Sequence, residues 1–227
     1  ECGPIICSSR WETLKLASCG KATSRMEVRI DSPDPKTHAG EIVCRGMNMM
    51  LGYYKNPEAT AQIIDANGWL HTGDLGYLHP DGWLYVLGRF KSLLIANDGE
   101  KYSPEGIEET IAEQSKYIDS CILYNNQSPY TVGLIVPNKM ALREYMEKQN
   151  IEPDSMDAYR VMLKKIQGEL MAYRVGGKHA HLFPERWLPA VVAVLPEVLS
   201  EQNGMINSTM KVVRAKVYDR FKEEIDY

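Results

Sequence analysis

Nowhere does the sequence string together the roughly 18 apolar residues that a membrane-crossing helix needs, so no such helix is expected. Basic residues are not in excess. The 26 Lys and Arg stand against 30 Asp and Glu, a formal net charge of −4. That balance, with no basic patch interleaved with aromatics, argues against nucleic acid as a partner. Cysteines are few and odd in number: Cys2, Cys7, Cys19, Cys44 and Cys121, without zinc-type spacing. Disulfides would leave one thiol over, so reduced cysteines in a cytosolic setting are expected. His71, His79, His179 and His181 offer no metal-ligand spacing beyond one His-x-His. Repeats and low-complexity tracts are missing, and no signal-peptide pattern opens the chain. Nor does it open with Met. It begins ECGPIICSS, with an apolar strand-like run from residue 4. We read that start as an interior cut and expect a piece of a longer protein.

What is there is ordinary globular material: 227 residues, 44% hydrophobic and 25% charged. Such a chain can bury one large core or two small ones. Residues 1–52 read as short strands and turns, with MEVRID alternating and GEIVCRG set between glycines. NPEATAQII predicts a helix with Asn56 as its cap and Pro57 at its first position. Beyond Arg89 the texture changes. FKSLLIANDGEKY reads as a strand and a glycine turn. SPEGIEETIAEQ reads as a helix capped by Ser103, with Ile107 and Ile111 on its buried face. The strands YIDSCILY and TVGLIVP follow, joined by a polar loop, NNQSP. Then come two helical stretches with Met162, Ile166 and Leu170 at four-residue steps, the strand AVVAVL, and a basic amphipathic tail from about Met210. The GG of RVGGKH, residues 174–179, reads as a helix stop rather than a phosphate loop. We place a boundary at Arg89–Lys91, with β character before it and mixed α/β after it.

HTGDLGYLHPDGWLYVLGRFK is a hairpin about the turn HPDG. Folding it there pairs positions whose numbers sum to about 162, which sets Asp74 opposite Gly88 and beside Arg89. A carboxylate and a guanidinium so placed can be a plain surface ion pair, worth about 0–1 kcal/mol. They can also form a site for a polyhydroxyl ligand, the carboxylate accepting from a cis-diol and the arginine donating to oxygens nearby. Gly73 and Gly88 would let such a ligand approach the backbone.

With the hairpin, GEIVCRGMNMMLGYYKNPEAT, EKYSPEGIEE and FPERWLPAVVAVLPEVLSEQNGMINSTMKVVRAKV resemble the adenylate-forming, AMP-binding enzymes. Among these the ending is similar to the long-chain fatty acyl-CoA synthetase branch. The resemblance implies an α+β fold: residues 1–89 as the β-rich C-terminal portion of a large nucleotide-binding domain, and residues 90–227 as a small mixed α/β lid. It implies a long-chain fatty acid–CoA ligase that uses ATP, Mg²⁺ and CoA, with small molecules as partners and a cytoplasmic setting that leaves room for peripheral membrane contact. Alternatives are a ligase for an aryl or medium-chain acid, and a non-catalytic nucleotide-sensing module of the same fold.

Residue by residue, the resemblance makes Asp74 and Arg89 contacts to the ribose of ATP and puts Val86 near the nucleotide. Lys91 becomes the hinge. Gly99 lies in the loop that lines the CoA tunnel, unless it is only a turn glycine. Lys211 is the catalytic lysine of the lid, with Lys216 as the next candidate. Many members carry Gly just before that lysine, where Met210 stands here. Glu1 becomes the acid that approaches the magnesium ion. The family's phosphate loop and most of its acyl pocket lie upstream of any segment present, so the chain alone is expected to be inactive.

Overall fold

The computed structural model describes residues 1–3, 5–153 and 155–226; Pro4, where the apolar run opens, lies outside them. Internal contacts divide the chain into two compact units, Glu1–Ser92 and Leu93–Tyr227.

The first unit is one antiparallel sheet. Its elements are β1 (Cys7–Ser8), β2 (Gly20–Ala22), β3 (Met26–Asp31), β4 (Gly40–Gly46), helix α1 (Pro57–Ile63), β5 (Leu70–Leu78) and β6 (Trp83–Arg89). The strand order is β1-β2-β6-β5-β4-β3, which sets the hairpin β5–β6 in the interior of the sheet. Alternation works as the period of two demands. In β3, Met26 is buried and Val28 half-buried, while Glu27 and Arg29 face out. Met26 and Val28 pack with Cys44 and Leu70 and with Ile63 and Ile64 at the end of α1. That helix starts as its sequence asks, with Asn56 Oδ1 accepting the Ala59 N–H at 3.0 Å and Pro57 in the first turn. The β5–β6 turn closes through the Gly82 N–H donating to the His79 carbonyl at 2.8 Å, with Gly82 at φ +88°.

The second unit contains β7 (Leu94–Ala96), β8 (Lys101–Tyr102), α2 (Glu105–Gln114), β9 (Ile118–Tyr124), β10 (Asn126–Ser128), β11 (Thr131–Pro137), α3 (Lys139–Glu147), α4 (Met156–Met171), β12 (Pro189–Val194), α5 (Arg214–Arg220) and α6 (Lys222–Asp226). One sheet runs β12-β11-β9, with β12 parallel and β9 antiparallel to β11. Every residue of β11 is buried, because apolar layers cover both faces of this sheet. On one side Cys121, Leu123 and Ile135 meet Ile107 and Ile111 of α2 and Ile166 and Leu170 of α4. On the other, Ile122, Leu134 and Val136 meet Val217 and Phe221. Successive residues thus feed alternate cores, which is why these strands read as continuous apolar runs.

Two local expectations are corrected. Within NNQSP, Asn126–Ser128 forms β10 and pairs parallel with β7, so the segment is not simply a loop. Ser103 makes no cap bond to the α2 backbone; its hydroxyl donates to the Glu105 carboxylate instead. An acidic side chain two residues on competes for the hydroxyl that a cap would use. The RVGGKH segment follows α4 as a stop, the His179 N–H reaching back to the Ala172 carbonyl at 2.8 Å.

Candidate functional site

Asp74 and Arg89 face each other across the hairpin. Arg89 Nη1 donates to Asp74 Oδ1 at 2.7 Å, and among the described residues no bond is made to Oδ2. The predicted register is corrected by one residue. Near the turn Tyr77 pairs with Tyr85 and Gly76 with Val86, but Leu75 pairs with Gly88 and Asp74 with Arg89 itself. Leu87 is the extra residue of a bulge, and it shifts everything toward the open end of the hairpin by one. The other flank of β5 is irregular too. Glu41 pairs with Leu75 and Val43 with His71, so Thr72, Gly73 and Asp74 stand against Ile42 alone. Asp74 therefore sits where both ladders lose register, a place where a side chain is re-aimed out of the regular pleat.

Side chains hold that distorted stretch, and pattern reading missed them. Glu41 Oε1 accepts the Gly73 N–H at 3.0 Å, and Glu41 Oε2 lies 2.8 Å from His71 Nδ1. The Thr72 hydroxyl donates to the Ile42 carbonyl at 2.7 Å and accepts the Asp74 N–H at 3.1 Å. Backbone groups freed from the ladder thus find partners. Gly73 adopts φ +71°, a conformation open to glycine at little cost. The only sequence signal for Glu41 was an acid at the start of a strand, which says nothing of its partner.

Val86 presents an exposed apolar side chain from β6, opposite Gly76. Lys91 is exposed in a short 3-10 turn, Phe90–Ser92, directly after β6. Gly99 is in the β7–β8 turn at φ +84°, its N–H donating to the Ala96 carbonyl at 2.9 Å. Among the described residues nothing lies within 4 Å of where a Cβ on Gly99 would stand, so among them only the backbone angle calls for glycine. The next residue, Glu100, ties this turn down. It accepts Arg186 Nε and Nη2, both at 2.6 Å, and Trp187 Nε1 at 3.0 Å. The Arg186 bonds, then the Trp187 bond, hold the Glu100 carboxyl down at about 2.

Lys211 is exposed in the loop before α5, and Lys216 is exposed on α5 itself. Asn207 organises the loop. Its Oδ1 accepts from the Thr209 N–H at 3.0 Å, the Thr209 hydroxyl at 2.8 Å and the Lys211 N–H at 2.9 Å. Its own N–H donates to the Lys211 carbonyl at 2.9 Å. Met210 adopts φ +61°. That left-handed conformation suits glycine and strains a larger side chain.

Glu1 accepts the Tyr53 hydroxyl at Oε1, a bond that raises the Tyr53 phenol. Among the described residues no group of three or more metal-ligating side chains gathers. A single carboxylate already bonded to a phenol does not make a magnesium site by itself, and no step below passes through the ion.

No family model matches the chain. Among curated proteins, it is 30% identical over 241 residues to the "Probable acyl-activating enzyme 16, chloroplastic" of Arabidopsis thaliana, covering 100% of this chain and 32% of the relative. It is 29% identical to the human "Long-chain-fatty-acid--CoA ligase 6" over 82% of this chain and 26% of that protein. The chain thus spans between about a quarter and a third of the length of these relatives. Of solved structures, the adenylation domain of a Mycobacterium chelonae carboxylate reductase superposes with TM-score 0.70 at 23% identity, over 89% of this chain and 30% of that one. The Bacillus subtilis o-succinylbenzoate CoA synthetase bound to its acyl-adenylate gives TM-score 0.61 at 25% identity, over 89% and 36%. In sequence the chain is similar to acyl-activating enzymes, and its fold is that of the C-terminal part of the AMP-binding fold seen in adenylation domains.

Proposed function

We propose that the chain is the C-terminal portion of an ATP-dependent ligase that joins a long-chain fatty acid to CoA. Residues 1–89 belong to the nucleotide-binding domain, residues 90–227 form the lid, and Lys91 is the hinge between them. What supports the reading most is Asp74. One of its oxygens is held by Arg89 and, among the described residues, the other is unengaged, on a strand whose two ladders both break there. A carboxylate in that state accepts hydrogen bonds from the two hydroxyls of a ribose, while Arg89 donates to oxygens beside them. Val86 offers an apolar surface to the nucleotide.

In the first half-reaction, a carboxylate oxygen of the acid attacks the α-phosphorus of ATP. The bond from that phosphorus to the bridging oxygen breaks, and pyrophosphate leaves with the electron pair. Lys211 contributes an ammonium to the phosphoryl oxygens as charge grows there; such charge-directed contacts are worth about 3–4 kcal/mol in barrier. In the second, the sulfur of CoA attacks the acyl carbon, AMP leaves, and the thiol proton passes to solvent. The turn bearing Gly99 lines the thiol's approach. Cytoplasmic location belongs to the same proposal.

Pyrophosphate release with palmitate and ATP tests the reading. The complete ligase is expected to turn over and the 227-residue chain alone is not. Lys211→Ala in the complete ligase should slow adenylate formation far more than thioester formation from supplied acyl-adenylate. Equal losses in both halves would contradict the role given to Lys211.

A further inference from the structure

We infer that Glu108 is a positioning residue for the Lys211 loop and acts through Arg214; the inference rests on the catalytic reading of Lys211 above. Arg214 is the first residue of α5, three positions after Lys211. It holds Glu108 with both arms of its fork, Nη1 to Oε1 at 2.8 Å and Nη2 to Oε2. The pair is nearly dry, its side chains only 16% and 10% exposed. A ring of bonds closes around it. Glu108 Oε1 accepts the Leu123 N–H at 2.6 Å, Tyr218 donates to the Leu123 carbonyl at 2.8 Å, and Arg214 Nη1 reaches the Tyr218 hydroxyl at 3.4 Å. Glu105 stands 3.9 Å from Nη2 as a second acid. Burial works against the Arg214 charge, but the bonds to Glu108 outweigh it and the guanidinium is held even more firmly protonated than usual.

The loop is rooted beside this ring. The Val213 N–H donates to the carbonyl of buried Met205 at 2.8 Å, and Ile206 bridges Val212. Between those roots the chain carries only the Asn207 turn and Lys211. Whatever fixes the start of α5 therefore fixes where the ammonium is presented. A buried ion pair is a poor way to gain stability, since apolar groups of the same volume do as well or better. A bidentate fork does what apolar groups cannot: it fixes direction as well as distance.

The test uses the complete ligase with each half-reaction measured apart. Glu108→Gln should lower adenylate formation on the order of 10²-fold, the scale of losing a positioned charge. Thioester formation from supplied acyl-adenylate should stay within about threefold. Since an unpaired Arg214 can itself impair folding, the paired variant Glu108→Gln/Arg214→Met removes both charges. With its thermal stability regained, it should still adenylate slowly and should show faster amide exchange over residues 206–212. Recovery of wild-type adenylation by the pair would overturn the inference, leaving the ion pair a role in folding alone. Arg214→Lys, which keeps the charge and loses the fork, decides the matter if the pair does not fold: adenylation at the wild-type rate would again overturn it. Lys211→Ala runs alongside. If that variant adenylates normally, the role of Lys211 fails; if it is slow while the folded Glu108→Gln is not, only the positioning role fails.

Discussion

Asp74→Ala separates a ligand site from a surface ion pair. In the free protein its partner Arg89 is 55% exposed and Asp74 itself 33%. A pair this wet contributes about 0–1 kcal/mol to folding, so the melting temperature should hardly move. Binding is another matter. Each hydrogen bond from a ribose hydroxyl to a carboxylate is worth about 1.5–3 kcal/mol. Two such bonds, discounted because they share one carboxylate and displace water, leave about 3 kcal/mol, or roughly 10²-fold in affinity. Calorimetric titration of ATP into the complete ligase, with a thermal melt of the same sample, reads both quantities. Asp81→Ala is the matched control. Asp81 pairs with Lys15 at the turn end of the same hairpin, with side chains 44% and 41% exposed, and its loss should leave affinity unchanged. Affinity within about threefold of wild type for Asp74→Ala would refute the ribose role, since the lost bonds are each worth at least a tenfold change. So would a loss of stability as large as the loss of binding.

Gly76→Ala should destabilise the first unit by about 1–3 kcal/mol in chemical denaturation. Its Cβ would stand 2.4 Å from the Tyr85 carbonyl oxygen and 2.6 Å from Ile42 Cδ1, so strands must part. Met210→Gly should stabilise by about 0.5–1 kcal/mol, because the positive φ strains a side chain that is 73% exposed and loses little packing. Glu100→Gln should change the acid limb of the unfolding profile. With its carboxyl lowered from 4.5 to about 2, Glu100 adds stability that is complete above pH 4.5 and fades as pH falls toward 2. The variant should lack that portion, and an unchanged limb in an acid titration would refute the clamp.

Elements followed from local chemistry. Asn56 and Pro57 open α1 because one side-chain oxygen and one missing N–H suit a helix start. The alternation of MEVRID became β3 over the same six residues. The hairpin turn at residues 79–82 was readable because Gly82 must take a positive φ. Register was not readable to the last residue. A bulge such as Leu87 leaves the composition of a strand unchanged and shows only in what lies across from it. β10 was hidden for a similar reason: NQS has no strand character of its own, and pairs because β7 offers an open edge.

The sequence by itself determined the periodicities, the helix starts, the tight turns, and the presence of an acid and an arginine within one hairpin. Those depend on residues a few positions apart. Only the tertiary structure decided that Asp74 meets Arg89 directly, that Glu41 holds Gly73 from 32 residues away, and that Glu108 holds Arg214 from 106. Such partners are selected by burial and by the need to satisfy every desolvated polar group, and that need acts between segments brought together only by the fold.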